Sequence, residues 1–119
     1  MHTLRYVLLG GALTLLSAGV LPAQASAPAT TKATIKAAPG GQSYVFAPAK
    51  KTIKVGTKVT WTDPTDAPHT VTSNSQSKWK FDKQLAQGGK VSYTFKKAGT
   101  FKYHCSFHAG MVGKIIVKM

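Results

Sequence analysis

The chain has 119 residues, which is enough for one domain. Sixteen lysines and arginines against three acids give a formal net charge of +13, but an apolar fraction of 43% is too high for a disordered polycation. Nucleic-acid binding is disfavoured as well, because the chain has a single arginine, contains no recognition motif and begins with what looks like an export signal.

The N-terminus predicts a secretory signal peptide covering residues 1–25. A short basic segment ending at Arg5 precedes a mostly apolar run, and Ala23-Gln24-Ala25 then fits the small-x-small cleavage rule. We expect cleavage after Ala25 and not after Ala27, because Pro28 would follow the second cut. The apolar run is short for a membrane span of about 20 residues, so an uncleaved anchor is the weaker alternative.

Residues 26–32 are small, polar and proline-containing, and we interpret them as a flexible leader. The remaining residues, 33–119, predict one all-β domain, since short runs rich in Val, Ile, Thr, Tyr and Phe are separated by Gly, Pro and Asp turns. Many short strands of this kind indicate a sandwich or a barrel. Asp82 to Gln87 is predicted to hold at most one helical turn. The predicted strands are 33–37, 43–46, 51–55, 58–63, 69–73, 79–81, 90–95, 100–105 and 112–118.

Alternation along the strands predicts which side chains face the core. Side chains two residues apart share a face of a strand. Phe101, Tyr103 and Cys105 are therefore predicted to point inward, while His104 points outward. The sole cysteine of the chain would thus lie at the inner end of a strand, just before a loop.

This cysteine carries the strongest functional signal in the sequence. One cysteine cannot form an internal disulfide, and a lone thiol in an oxidising compartment is a liability unless it is buried, paired or bound to something. Cys105, His108 and Met111 are spaced C-x2-H-x2-M, which offers thiolate, imidazole and thioether ligands from one tight loop. Soft sulfur with imidazole favours copper, and the blue-copper arrangement needs a second histidine. His69 is the remaining candidate, because His104 lies on the wrong face of its strand.

Each of these residues, taken alone, is more often an ordinary packing or surface residue than a ligand. Zinc is the alternative metal, since cysteine and histidine also bind it, although methionine is a poor zinc ligand. An exported β-domain with a free thiol and no metal also remains an alternative at this point.

Two stretches resemble the plastocyanin/amicyanin group of cupredoxins, the type 1 blue-copper proteins. They are VGTKVTWTDPTDAPHTV, residues 55–71, and FDKQLAQGGKVSYTFKKAGTFKYHCSFHAGMVGKIIVKM, residues 81–119. The short loop from cysteine to methionine is more similar to that of amicyanin than to that of plastocyanin. The resemblance implies a Greek-key β-sandwich of about eight strands that holds one copper ion cycling between Cu(I) and Cu(II). The ligands that it implies are His69, Cys105 and His108 in equatorial positions and Met111 in the weak axial position.

The same resemblance implies single-electron transfer between redox partners, without enzymatic activity. His108 would be the electron exit through an apolar patch that includes Phe107, and His104 would occupy a second exit route. Thr70 stands where the family usually has the asparagine that ties the two ligand loops together, and Asp63 stands where an asparagine is common. The Thr70 departure puts the reduction potential and rigidity of the site in question more than copper binding itself, and Asp63 adds a negative charge to an otherwise basic protein.

The lysines predict a positive surface field that attracts an acidic redox partner, and we expect a monomer without a membrane span after cleavage. The export signal predicts the periplasm most simply, with the thylakoid lumen or the cell exterior as other destinations. Copper delivery or sequestration by the same ligands is the alternative function. An enzyme is disfavoured, because the chain has only three acids, no evident nucleophile–base pair and no second copper cluster.

Overall fold

The computed structural model describes residues 31–119, which form nine β-strands and no helix. No helix in this part of the chain is long and apolar enough to cross a membrane. The predicted signal peptide and most of the predicted leader lie outside the described residues. The strands are β1 (Lys32–Gly40), β2 (Ser43–Ala47), β3 (Lys50–Lys54), β4 (Lys58–Thr62), β5 (His69–Ser73), β6 (Asp82–Leu85), β7 (Lys90–Thr94), β8 (Gly99–His104) and β9 (Val112–Lys118).

The strands build two sheets. The first has the order β2-β1-β4-β7, and the second has the order β3-β9-β8-β5-β6. The pairs β1–β4 and β3–β9 are parallel, whereas the other neighbours are antiparallel. Consecutive strands repeatedly change sheet, since β2 is followed by β3 and β4 by β5 in the opposite layer. The predicted all-β sandwich is therefore confirmed.

Aromatic side chains fill the space between the two sheets. Trp61 of the first sheet and Tyr103 of the second meet with ring centroids 5.4 Å apart, and Phe46 reaches the same tyrosine at 4.8 Å. The predicted alternation along β8 is confirmed, because Phe101 and Tyr103 are buried while Lys102 is exposed. Burying a large apolar side chain contributes about 1.5–3 kcal/mol, so this aromatic layer is a main source of stability.

One predicted strand and one predicted turn are wrong. Residues 79–81 form no strand, and Asp82–Leu85, predicted to hold at most a helical turn, form the edge strand β6 instead. Of that strand only Leu85 is buried, so it has no alternating apolar pattern to reveal it. The apolar pattern of Trp79 and Phe81 does not come from a strand. Their rings stack on each other, with centroids 5.0 Å apart, and both are buried in the core.

The pairing of β5 with β8 fixes the geometry at the other end of the sandwich. The strands are antiparallel, with Thr72 opposite His104 and Ser73 opposite Tyr103. The start of β5 therefore extends past the end of β8 and runs beside the loop 105–111. His69, the first residue of β5, and Cys105, the first residue after β8, come together for this reason although 36 positions separate them in the chain.

The approach of Tyr103 to Gly113 leads to a stability prediction. The tyrosine ring lies so close over the glycine that a methyl group there would overlap its ring and hydroxyl atoms. Gly113→Ala should therefore destabilise the fold by about 1–3 kcal/mol through overpacking, measured by urea unfolding of the metal-free protein. Val112→Ala is the matched control on the same strand, where the side chain is exposed and the expected change is within about 0.5 kcal/mol. Equal stability of the two variants would contradict the prediction.

Candidate metal centre

Three donor atoms converge at the end of the sandwich formed by the start of β5 and the loop 105–111. The Nδ1 atoms of His69 and His108 lie 3.3 Å apart. The Sγ atom of Cys105 lies 3.8 Å from the first of these nitrogens and 3.5 Å from the second. Among the described residues these three form the group of potential ligands suited to a metal ion.

The separations test whether a metal fits. A point equidistant from three atoms so placed lies about 2 Å from each, close to the length of a bond from imidazole nitrogen or thiolate sulfur to a metal such as zinc. Two imidazoles and one thiolate in a triangular arrangement are also the donor set of a blue-copper site. The cluster of His69, Cys105 and His108 therefore fits a type 1 copper site in both distance and chemistry.

His69 is fully buried and anchored on both sides of its ring. Its Nδ1 faces the cluster, while its Nε2 lies 2.9 Å from the hydroxyl oxygen of Thr65 and 3.7 Å from a carboxylate oxygen of Asp63. Burial lowers the pKa of His69, the charge of Asp63 opposes this effect, and His108 lowers the pKa further. The neutral form that a metal ligand requires is thus favoured by the position of the ring.

Cys105 is buried, as predicted, with 4% of its surface exposed. The backbone N–H of Thr70 donates to its sulfur at 3.4 Å. Its own N–H donates to the carbonyl of Met111 at 2.9 Å. This last bond closes the loop 105–111 on itself.

The other residues of the predicted motif lie in the same loop. His108 is half-buried, so its ring borders both the cluster and the solvent. Met111 is fully buried and its N–H donates to the carbonyl of His108 at 3.2 Å. It comes directly before β9, and its side chain belongs to the buried core. Phe107 is 52% exposed on the outside of the loop.

Thr70 ties the two segments together. The N–H of Ser106 donates to the hydroxyl oxygen of Thr70 at 2.7 Å, and the hydroxyl of Thr72 lies 2.9 Å from the same oxygen. The bond from Ser106 crosses from the cysteine loop to β5, which is the role expected of an asparagine in this position. The hydroxyl oxygen of Thr70 therefore links the loop to β5 in this protein, and it also lies within hydrogen-bond distance of the Thr72 hydroxyl.

His104 lies on the outward face of β8, as predicted, and it is half-buried. Its Nδ1 is 2.6 Å from the side-chain oxygen of Asn74 on the connection after β5. The ring is covalently adjacent to Cys105 but takes no part in the cluster.

Sequence reasoning missed Tyr44, which comes from β2 in the opposite sheet. Its ring centroid lies 4.8 Å from that of His69 and 4.9 Å from that of His108, so one aromatic ring covers both imidazoles. Its hydroxyl donates to Asp66 at 2.7 Å, and this bond raises the pKa of Tyr44. Nothing in the sequence near residue 44 connects it with the histidines, because only the packing of the two sheets brings them together.

The bond between Ser106 and Thr70 can be tested directly. Thr70→Val keeps the shape of the side chain but removes the acceptor, which should destabilise the metal-free protein by about 1 kcal/mol. Thr70→Ser, which keeps the hydroxyl, is the matched control and should restore most of the stability. Urea unfolding followed by tryptophan fluorescence measures both variants. If the valine and serine variants were equally stable, the bond would contribute nothing.

Comparison with known proteins agrees with the site. Residues 32–118 match the family of copper binding proteins, plastocyanin/azurin family. Plastocyanin of Scenedesmus fuscus is 33% identical over 96 residues, covering 71% of this chain and 98% of that protein. The chloroplastic plastocyanin of Tetradesmus obliquus is 35% identical over 97 residues, covering 72% of this chain and 67% of that protein.

Solved structures lead to the same family. A purple cupredoxin from Nitrosopumilus maritimus superposes with a TM-score of 0.64 at 32% identity, covering 72% of this chain and 99% of that chain. A reduced amicyanin mutant superposes with a TM-score of 0.60 at 25% identity, covering 71% of this chain and 80% of that chain. The chain belongs to the plastocyanin/azurin family of copper-binding proteins.

Proposed function

We propose that this protein is an exported type 1 copper protein that carries single electrons between redox partners. His69, Cys105 and His108 are the strong ligands in this proposal and Met111 is the weak axial ligand. The observation that supports it most is the convergence of two imidazole nitrogens and one thiol sulfur within 3.8 Å of one another.

Bound copper supplies a one-electron couple between Cu(I) and Cu(II). The part of the protein is to hold the donors in one arrangement for both states, so that little has to move when an electron arrives or leaves. The pairing of β5 with β8 and the bond from Ser106 to Thr70 keep His69 and Cys105 in place. Met111 is enclosed in the core, which excludes water from the side of the site where it lies.

Electrons would leave through two surfaces. His108 borders the solvent beside the exposed ring of Phe107, and this loop is the first path from the cluster to a partner. His104 offers the second path, because it is bonded to Cys105 through the backbone and lies on the outward face of β8.

A basic groove beside the second path favours an acidic partner. The groove has a volume of about 420 Å³ and is lined by Lys50, Lys102 and Lys114 together with Asn74, the hydrogen-bond partner of His104. Val112 at its edge is 54% exposed and gives the groove an apolar contact. Positive charge around an apolar contact attracts and orients an acidic surface. We expect the protein to act as a monomer in such an encounter.

Export completes the proposal. The sequence of residues 1–25 predicts a signal peptide, and the lone thiol would be protected in an oxidising compartment by its metal. The periplasm is the simplest destination, and the thylakoid lumen or the cell exterior are the others.

Copper addition tests the site. One equivalent of Cu(II) added to the purified metal-free protein should give intense visible absorption from the bond between the metal and Cys105. Cys105→Ser should abolish that absorption, because it replaces the soft thiolate with a hydroxyl, which binds copper poorly and has no sulfur to absorb. Ser106→Ala, next to it on the exposed side of the loop, is the control and should keep the absorption. Absence of the colour in the unaltered protein would reject a type 1 site.

Transfer rates separate electron transfer from copper delivery. Stopped-flow mixing of the reduced protein with an oxidised acidic redox protein should show rapid electron exchange while copper stays bound. If exchange is slow, and copper instead passes to an acceptor protein, delivery is the function.

Salt dependence tests the basic groove. Lys102→Glu should slow electron exchange with the acidic partner at low salt, and rising salt should slow the unaltered protein toward the same rate, since exposed charges are screened within about 10 Å at 0.1 M. Lys97→Glu is the control of equal charge, because this residue precedes β8 at the end of the strand opposite to the metal centre. A rate that does not change with salt, or equal effects of the two substitutions, would exclude steering by the groove.

A further inference from the structure

The most unusual group near the site is the carboxylate of Asp63. It is 1% exposed in a strongly basic protein, and its Oδ2 has no hydrogen-bond partner among the described residues. A buried carboxylate without full hydrogen bonding is costly. A buried polar group that is incompletely paired calls for an explanation, and a redox role is one of them.

The other carboxylate oxygen, Oδ1, is engaged by a single residue. Thr65 donates to it from its backbone N–H at 2.9 Å, and the Thr65 hydroxyl oxygen lies 2.6 Å away. The same hydroxyl oxygen is 2.9 Å from Nε2 of His69. A continuous path of hydrogen bonds therefore leads from the buried charge to the side of the histidine ring that faces away from the cluster.

The direction of these bonds follows from the number of protons. A carboxylate only accepts hydrogen bonds, and a hydroxyl has one proton to donate. Two acceptor oxygens compete for that proton, Oδ1 of Asp63 at 2.6 Å and the carbonyl oxygen of Ala67 at 3.0 Å, and the shorter contact assigns it to Asp63. It can then offer only a lone pair to His69. The Nε2 atom must carry the proton of the neutral ring, and Nδ1 is left with a bare lone pair that faces Cys105 and His108.

We propose that Asp63 and Thr65 are positioning residues that fix His69 as its Nε2–H tautomer and place a buried negative charge behind it, which favours Cu(II) over Cu(I). The proposal rests on copper binding by the cluster, as set out above. Hydrogen bonds of this kind to a ligand histidine orient its ring and raise its basicity. A negative charge in a poorly screened position stabilises the more positive state of the metal, so it lowers the reduction potential.

Neither effect was visible in the sequence, where Asp63 was only an added negative charge. Asp66 carries the same charge three residues away, but its side chain is exposed. It therefore provides a natural control for charge without burial.

The tautomer is tested without any metal. In nitrogen-detected NMR of the metal-free protein, His69 should be the Nε2–H form, with a proton that exchanges slowly. Thr65→Val should lose this slow exchange and populate the other tautomer, and its affinity for Cu(II) should fall by about 10–100-fold. Thr65→Ser, which keeps the hydroxyl, should restore both properties. A predominant Nδ1–H form in the unaltered protein would overturn this part of the proposal.

The charge is tested on the copper form. Asp63→Asn keeps an acceptor for Thr65 but removes the charge, and it should shift the equilibrium between Cu(II) and Cu(I) about tenfold toward Cu(I), which is about +59 mV for one electron. Asp66→Asn should give less than half of that shift, because water screens its charge. Equal shifts in the two variants, or a change only in the unfolding midpoint of Asp63→Asn, would overturn the electrostatic role.

The outcomes separate this proposal from the proposed function. If Cu(II) gives no visible absorption, the function fails and the role of Asp63 fails with it, although the tautomer result still decides the role of Thr65. If copper binds as expected but Asp63→Asn behaves like Asp66→Asn, the function stands and the role of the buried charge is rejected.

Discussion

The pairing of β5 with β8 is the constraint on which the metal centre depends. Its register places Thr72 opposite His104, and this carries the start of β5 past the end of β8 to the loop that follows Cys105. A shift of one residue would turn every side chain of β5 to the other face. His69 would then leave the cluster and Val71 would leave the core. Burial of Val71 and convergence of the donors are therefore satisfied by the same register.

Hydrogen bonds of Thr70 hold the start of β5 against the loop 105–111, in addition to the strand pairing. Thr70 accepts from Ser106 with its side chain and donates to the sulfur of Cys105 with its backbone. One residue thus connects β5 both to the backbone of the loop and to the sulfur of Cys105. The loop needs this connection, because the small residues Ala109 and Gly110 lie exposed between His108 and Met111 and contribute little packing.

The electrostatics of the protein divide into two scales. On the surface, lysines dominate, and water and salt screen the field that they produce. Near the centre, the carboxylate of Asp63 is buried away from water and is linked to His69 through the hydroxyl of Thr65. A protein with a formal net charge of +13 therefore still places a carboxylate next to its candidate copper site.

The sequence by itself determined the fold class and the inward face of β8, and it singled out His69, Cys105 and His108, which the fold brings together, because alternation and side-chain chemistry are local properties. It did not reveal β6, whose exposed polar residues form an edge strand without alternation. It also did not reveal Tyr44 over the two imidazoles, or the path from Asp63 through Thr65 to His69. These contacts depend on how two sheets pack and how a turn folds back, and the distances between residues far apart in the chain are decided only when the tertiary structure closes around them.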